Sequence, residues 1–184
     1  MTSTPAQRVK EVLNSCRIIN DDTVKTFASF CENFGYVFKG KPVIDIGCGS
    51  GGGLCKFVLE QGATKYTGVD IDSIAIRSSR HLEPRGVFIF DDPIHVLSTL
   101  KESHVVISAA VFDVCIIDDR TVYPERLVQA IAQQTPEGWY TVHWGGNLYK
   151  FTKYFEDSNF QKVHILPEKM PCFGVYQKSA RRTL

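Results

Sequence analysis

Residues 43–53 combine an apolar run with one carboxylate and closely spaced glycines. Asp45 stands inside the run, and Gly47, Gly49 and Gly51 follow it at every second position. Because glycine permits positive φ angles and a close approach of the backbone to a ligand, this stretch predicts a ligand-binding loop at the end of a β-strand. The carboxylate would repel a pyrophosphate and attract a cation, so the pattern favours a cationic ligand over a dinucleotide.

The elements that must position this loop alternate between strand and helix. The apolar pattern predicts strands that begin at residue 43 and at residues 65–71, 87–90, 111–117 and 139–143. Helices are predicted between them at residues 54–61, 73–81, 94–100 and 124–134. Such alternation predicts an α/β fold that is Rossmann-like and doubly wound, with a mostly parallel sheet and helices on both faces.

The two ends of the chain complete the predicted organisation. Residues 1–40 carry helical apolar spacing and predict N-terminal helices ahead of a core at residues 41–184. A helix at residues 151–157 and strands at 163–166 and 174–177 predict a closing antiparallel hairpin. Without a linker or an internal repeat, the 184 residues are interpreted as a single domain.

The glycine loop and the strand after it together resemble a known family. The run 43–54, followed by residues 66–72, is similar to the first motifs of class I S-adenosylmethionine-dependent methyltransferases. The resemblance implies S-adenosylmethionine as methyl donor and S-adenosylhomocysteine as product. A sulfonium cation agrees with the charge of Asp45.

Acidic residues follow the second and third predicted strands, where ligands bind in doubly wound sheets. Asp70 is spaced from Asp45 as a carboxylate that accepts hydrogen bonds from ribose hydroxyls. Asp91 and Asp92 follow the third strand, where the resemblance implies an acceptor for the adenine amino group. Asp92 can equally cap the next helix. Ile71 could form an apolar wall for adenine, or belong to the core.

Residues 42–80 look most like the mRNA cap guanine-N7 methyltransferases. The resemblance implies capped RNA or a cap analogue as partner, and guanine N7 as acceptor. Since N7 already presents a lone pair, alignment of donor and acceptor would suffice without a general base, and no metal is expected. An N/D-P-P-[FY] signature is absent after the predicted fourth strand, which argues against methylation of base amino groups.

Candidate residues for the acceptor side follow the predicted fourth and fifth strands. His143 could hydrogen-bond the acceptor or act as a base, although a satisfied structural histidine is an equal alternative. Asp118 is the second candidate for a catalytic role. Aromatic faces could stack a flat base and a lysine could meet the cap triphosphate, and these substrate-binding candidates are Tyr123, Trp144, Tyr149 and Lys150.

Three other functions stay open. Residues 118–124 and 144–146 also resemble catechol and caffeoyl-type O-methyltransferases, which use Mg²⁺ at the acceptor hydroxyl. Ribose 2′-O-methylation of RNA would need an activating lysine where this chain has His143. A non-catalytic module that only binds S-adenosylmethionine would keep the same loop.

Composition limits the partners and the compartment. A formal charge of +1, from 21 basic and 20 acidic residues, disfavours binding to duplex DNA. The sequence shows neither a signal peptide nor an apolar stretch that could span a bilayer, so we expect a cytoplasmic protein with no membrane partner. The six cysteines are scattered, which predicts reduced thiols. Protein partners are not predicted.

Overall fold

The computed structural model describes residues 33–49, 53–109, 111–112, 123–145, 148–166 and 172–180. These residues belong to two compact units that divide between Asp91 and Asp92. The predicted helices before residue 33 lie outside the described residues, as do Gly51 and Asp118. The single-domain organisation stays a prediction.

The first unit contains a three-stranded parallel sheet in the order β3-β2-β1. Its strands are β1 (Pro42–Ile46), β2 (Lys65–Asp70) and β3 (Val87–Phe90), and its helices are α1 (Gly53–Glu60) and α2 (Ser73–Leu82). A 3₁₀ turn at Gly35–Val37 precedes β1.

The interior residues of β1 and β2 are buried, as expected for apolar strands of a parallel sheet that is covered on both faces. The register places Asp45 opposite Gly68 and Asp70 opposite Phe90. Arg80 of α2 donates two hydrogen bonds to the carbonyl of Phe88, and this cation at the edge strand discourages pairing with another chain.

The second unit contains four strands in the order β4-β5-β7-β6. In chain order its elements are α3 (Pro93–Thr99), β4 (Val105–Ala109), α4 (Tyr123–Gln134), β5 (Tyr140–Gly145), a 3₁₀ turn (Leu148–Phe151), α5 (Thr152–Asp157), β6 (Phe160–Leu166) and β7 (Cys172–Lys178). Strand β4 pairs with β5 in parallel, whereas β7 is antiparallel to both β5 and β6.

These elements confirm the predicted Rossmann-like fold class, including the C-terminal antiparallel strand pair. The fourth strand was predicted in the wrong place: β4 is Val105–Ala109, whereas residues 111–112 of the predicted strand 111–117 are helical and residues 113–117 lie outside the described residues. Four of the five residues of β4 are buried, and Ile107 pairs with Val142 of β5. Residues 105–109 and 111–117 are both apolar runs that could form the fourth strand. The first run follows α3 after a short connection of the usual length.

This shift changes the interpretation of the residues after the fourth strand. Asp118 and the sequence used to argue against amino-group methylation no longer follow β4 directly. No helix among the described residues is long and apolar enough to cross a membrane.

Substitution of Gly68 tests how closely β2 packs against its neighbours. A Cβ at this position would lie 2.8 Å from both Cys48 Sγ and Phe88 Cδ1. We expect Gly68→Ala to lower the free energy of unfolding by about 1–3 kcal/mol, because neither the short thiol nor the rigid ring can withdraw easily. Urea unfolding would measure the loss. The double variant with Cys48→Ala should recover part of it, and equal stability of Gly68→Ala and wild type would contradict this packing.

Candidate functional site

Both backbone polar groups of Gly49 make hydrogen bonds to side chains. Its N–H donates to Asp70 Oδ2 at 2.9 Å, and its carbonyl accepts from Ser79 Oγ at 2.8 Å. Gly49 has a φ of +63° and open space where a Cβ would be, so backbone conformation and not crowding requires glycine here. These two hydrogen bonds fasten the start of the predicted ligand loop to β2 and α2.

The loop is also fixed one step earlier in the chain. The backbone N–H groups of Gly47 and Cys48 both donate to the carbonyl of Val69, at 2.7 and 3.1 Å. Gly47 has a φ of 70°, which again favours glycine. The turn out of β1 is therefore positioned against the end of β2, as the glycine pattern predicts.

Asp70, the predicted ribose acceptor, already has two backbone partners. Its Oδ1 accepts from the N–H of Asp72 at 2.9 Å, while Oδ2 accepts from Gly49. A carboxylate offers about four lone-pair sites, so further acceptor capacity remains for a ligand. Its cofactor role stays a prediction, but the structure shows that Asp70 also braces the loop.

Asp45, the predicted cation-attracting residue, is completely buried in β1. Its Oδ2 accepts a 2.5 Å hydrogen bond from the hydroxyl of Tyr66, whereas Oδ1 has no hydrogen-bond partner among the described residues. Burial, assisted by the negative charge of Asp70, raises the pKa of Asp45 to about 7, although the Tyr66 hydrogen bond works in the opposite direction. An incompletely satisfied buried carboxylate is a favourable site for a cationic group.

The thiols around Asp45 remain neutral. Burial is the main cause that raises the pKa of Cys48 far above its ordinary value, and the charges of Asp45 and Asp70 add to it. Burial likewise raises the pKa of Cys55 to about 12. Both cysteines are free.

Exposed apolar side chains surround the ends of β2 and β3. Ile71 is 66% exposed, Ile74 73% and Phe90 57%. The N–H of Asp91 donates to the carbonyl of Asp70 at 3.2 Å, so the two predicted contact points for ribose and adenine adjoin. Exposed apolar residues beside polar groups are typical of a binding surface. Ile71 is therefore not a core residue, and its role as an adenine wall stays a prediction.

Asp92 serves as the N-cap of α3. Its Oδ1 accepts from the N–H groups of Ile94 and His95 at 2.8 and 3.3 Å, and its Oδ2 accepts from the hydroxyl of Tyr123 at 3.3 Å. The capping alternative thus accounts for Asp92. Between the two acids, Asp91 remains the candidate for the adenine amino group.

His143, predicted as a catalytic residue, lies inside the second unit with no exposed surface. The hydroxyl of Thr141 donates to the carbonyl of Val106 at 2.8 Å, so the same oxygen must accept from His143 Nε2–H at 2.6 Å. Nδ1 then accepts from the hydroxyl of Ser108 at 2.7 Å. Both ring nitrogens are therefore occupied within the core.

This geometry corrects the prediction that His143 opens onto an acceptor. Aromatic rings surround the imidazole, with Phe155 at 4.9 Å and Phe112 at 5.3 Å between ring centroids. Burial lowers the pKa of His143 to about 3, so the ring is too weak a base to hold a proton near neutral pH. His143 is therefore a structural histidine with both ring nitrogens hydrogen-bonded, which was the alternative to a catalytic base.

The remaining described acceptor-side candidates lie in different elements of the second unit. Trp144 is half-buried in β5, Lys150 is exposed, and Tyr123 begins α4 with its hydroxyl on Asp92. The side chain of Tyr149 lies outside the described part of the chain, as does Asp118. Within the described ranges, no group of three His, Cys, Asp or Glu side chains is arranged to hold a metal ion.

Two residues of this site were not predicted from the sequence. Tyr66 donates to Asp45, and Ser79 donates to Gly49. Ser79 carried a usable signal, because it falls on the buried face of α2 with Ala75 and Ile76, where a hydroxyl needs a partner. The role of Tyr66 was harder to predict from the sequence, since tyrosine is common in strands.

Comparisons with known proteins agree with this fold. The family model of ribosomal protein L11 methyltransferase (PrmA) matches residues 26–114. A protein of Haemophilus influenzae without an assigned function is 38% identical over 72 residues, which cover 36% of this chain and 28% of that protein. The match thus spans little more than a quarter of that relative.

Solved methyltransferase structures superpose over most of the chain. The ribosomal protein L11 methylase of Lactobacillus delbrueckii subsp. bulgaricus has a TM-score of 0.65 at 11% identity, covering 89% of this chain and 81% of its own. The N-methyltransferase NodS of Bradyrhizobium japonicum, solved with S-adenosylhomocysteine, has a TM-score of 0.70 at 11% identity, with 97% and 100% covered. The chain therefore has the Rossmann-like fold of class I methyltransferases.

The buried His143 makes a prediction about acid stability. Its pKa is depressed in the folded state, so its contribution is fully present above the unfolded value of 6.5 and is lost as the pH falls towards 3. Because His143→Gln removes this group, the stability difference between wild type and variant should shrink by about 2 kcal/mol from pH 7 to pH 5.

Urea unfolding at several pH values would measure this difference. The exposed His81, replaced by glutamine, controls for the loss of a histidine elsewhere, and this variant should not reproduce the change expected of His143→Gln. A difference between wild type and His143→Gln that stays constant over this range would contradict the buried neutral ring.

Proposed function

We propose that this chain binds S-adenosylmethionine in its first unit and transfers the methyl group to an acceptor. The proposal depends on one observation. The backbone N–H of Gly49 is hydrogen-bonded to Asp70, and the same unit buries the carboxylate of Asp45, whose Oδ1 has no hydrogen-bond partner among the described residues. The ligand implied has a positive charge and hydroxyl groups. The family model and the structure of NodS with S-adenosylhomocysteine support the same cofactor.

The described residues fit each part of this ligand. Asp45 would attract a cationic group through its charge, because its buried Oδ1 has no hydrogen-bond partner among the described residues and burial makes a compensating charge valuable. Asp70 would accept from the ribose hydroxyls with its remaining lone pairs. Ile71 would lie against the adenine ring, and Asp91 would accept from its amino group.

The chain's contribution to the reaction is alignment and charge. When bound, S-adenosylmethionine supplies a methyl carbon attached to a cationic sulfur, which becomes neutral as the methyl group leaves. Asp70 and Ser79 hold the loop backbone so that the donor is bound in one orientation. In-line displacement gains most of its acceleration from such alignment.

For the acceptor we propose a nitrogen atom. The burial of His143, with both ring nitrogens hydrogen-bonded, supports an acceptor that does not depend on this side chain as a base. Guanine N7 of an RNA cap is the first candidate because of the resemblance of residues 42–80. A protein nitrogen is the second, supported by the ribosomal protein L11 methyltransferase model and by the N-methyltransferase fold neighbour.

Substitution of Asp70 tests the donor site. We expect Asp70→Ala to weaken S-adenosylmethionine binding about tenfold or more, because it removes the ribose acceptor and leaves the N–H groups of Gly49 and Asp72 without their partner. Titration calorimetry would measure the dissociation constant. Asp70→Asn keeps the shape and one acceptor oxygen, so its loss should be smaller.

Asp72→Ala is the matched control. It removes only the N-cap of α2, whose Oδ1 accepts from the N–H of Ile74 at 2.8 Å. We expect a stability loss of about 1 kcal/mol with little change in affinity. Unchanged affinity in Asp70→Ala would contradict the ribose assignment.

A methyl-transfer assay decides the acceptor. Labelled S-adenosylmethionine is offered with unmethylated capped RNA, with N7-methylated capped RNA, with ribosomal protein L11 and with a catechol, each with and without Mg²⁺. Label on the unmethylated cap alone, indifferent to Mg²⁺, is the expected result. Label on L11 would favour the protein acceptor instead.

The other outcomes each overturn part of the proposal. Label on both RNAs would indicate ribose 2′-O-methylation, and Mg²⁺-dependent label on the catechol would indicate an O-methyltransferase. Binding without transfer to any acceptor would favour the non-catalytic module. Absence of S-adenosylmethionine binding would overturn the proposed function itself.

A further inference from the structure

Tyr66 and Asp45 form a buried polar pair that extends across β1 and β2. Tyr66 is 1% exposed and its hydroxyl donates to Asp45 Oδ2 at 2.5 Å, while its ring packs against Phe88 with 5.9 Å between centroids. A buried phenol costs free energy unless its hydroxyl is bonded, so this geometry is well defined. Only one carboxylate oxygen is occupied by the pair.

Among the charged and titratable groups around Asp45, Asp70 opposes its ionisation and Tyr66 favours it. Asp70, at the end of β2, adds negative charge, and the thiols of Cys48 in the loop and Cys55 in α1 stay neutral. Tyr66 of β2 is neutral as well, because burial raises its pKa well above 10. The Tyr66 hydroxyl is the group that favours the charged form of Asp45.

We propose that Tyr66 is a positioning residue for the methyl donor: it orients Asp45 and, together with it, makes donor binding depend on pH across neutrality. This inference rests on the proposed binding of S-adenosylmethionine. Tyr66 occupies one oxygen of the carboxylate and so leaves Oδ1 for the cationic ligand. The donor must meet an ionised Asp45, since a neutral carboxyl attracts a cation only weakly.

The direction of the pH dependence follows from the protonation of Asp45. In the free protein this carboxyl takes up a proton as the pH falls below about 7. Binding of the cation then releases that proton, so affinity falls by up to about tenfold for each pH unit below the midpoint. Above the midpoint Asp45 is already ionised, and its contribution to affinity is constant.

Removal of the phenolic hydroxyl tests the proposal. In Tyr66→Phe the carboxylate loses a hydrogen bond that favours its charged form, so the midpoint of the affinity curve should rise by about one pH unit or more. Titration calorimetry with S-adenosylmethionine from about pH 5.5 to 8.5, in two buffers of different protonation enthalpy, measures both affinity and released protons. The titration of the ligand itself is common to all variants and cancels in their comparison.

Tyr176→Phe is the matched control. Tyr176 is a fully buried tyrosine of the second unit, on β7, and its hydroxyl lies 3.4 Å from Thr152 Oγ1. This substitution removes a buried phenolic hydroxyl in the second unit and leaves Asp45 unchanged. The midpoint of the affinity curve against pH should therefore equal that of wild type. Thermal unfolding of each variant establishes that it is folded under the conditions of the titration.

The outcomes separate this inference from the proposed function. No binding of S-adenosylmethionine to wild type at any pH would overturn the proposed function. Binding that is independent of pH, or that releases no proton near pH 6, would overturn the inference alone, even if Tyr66→Phe failed to fold. An equal midpoint in Tyr66→Phe, Tyr176→Phe and wild type would overturn the positioning role of Tyr66.

Discussion

The burial of the Asp45 carboxylate is the constraint on which the rest of the site depends. A carboxyl whose pKa rises from 3.8 to about 7 on folding costs roughly 4 kcal/mol when it is ionised above neutral pH. This cost already includes the hydrogen bond from Tyr66 and would be larger without it, and the second carboxylate oxygen has no hydrogen-bond partner among the described residues. The first unit is therefore less stable than its packing allows, in the way that binding sites often are.

Much of the fold could be predicted because its signals are local. Alternating apolar runs and helical periods placed nearly every strand and helix within a few residues, and the glycines marked the turn after β1. The error at β4 had a different origin, since residues 105–109 and 111–117 are both short apolar runs with strand-like composition. Only pairing with β5, a contact over some 35 residues of chain, distinguishes them.

The site was predictable where a residue's role depends on the backbone and was less so where it depends on a distant partner. Gly47 and Gly49 have the positive φ that their spacing indicates. Asp92 and His143, by contrast, satisfy a helix end and a core hydrogen-bond chain, and their polar chemistry made them resemble site residues. Tyr66 and Ser79 were missed because their partners, Asp45 and Gly49, are 21 and 30 residues away.

The decisive measurement concerns the buried charge of Asp45 and its compensation by the ligand. It is the thermal unfolding of wild type and Asp45→Asn at about pH 8, with and without S-adenosylmethionine. Asparagine keeps the shape and an acceptor for Tyr66 but removes the buried charge. We expect unliganded Asp45→Asn to melt at a higher temperature than wild type and to gain much less stability from the ligand. A variant that melts lower than wild type, yet is stabilised equally by S-adenosylmethionine, would contradict this expectation.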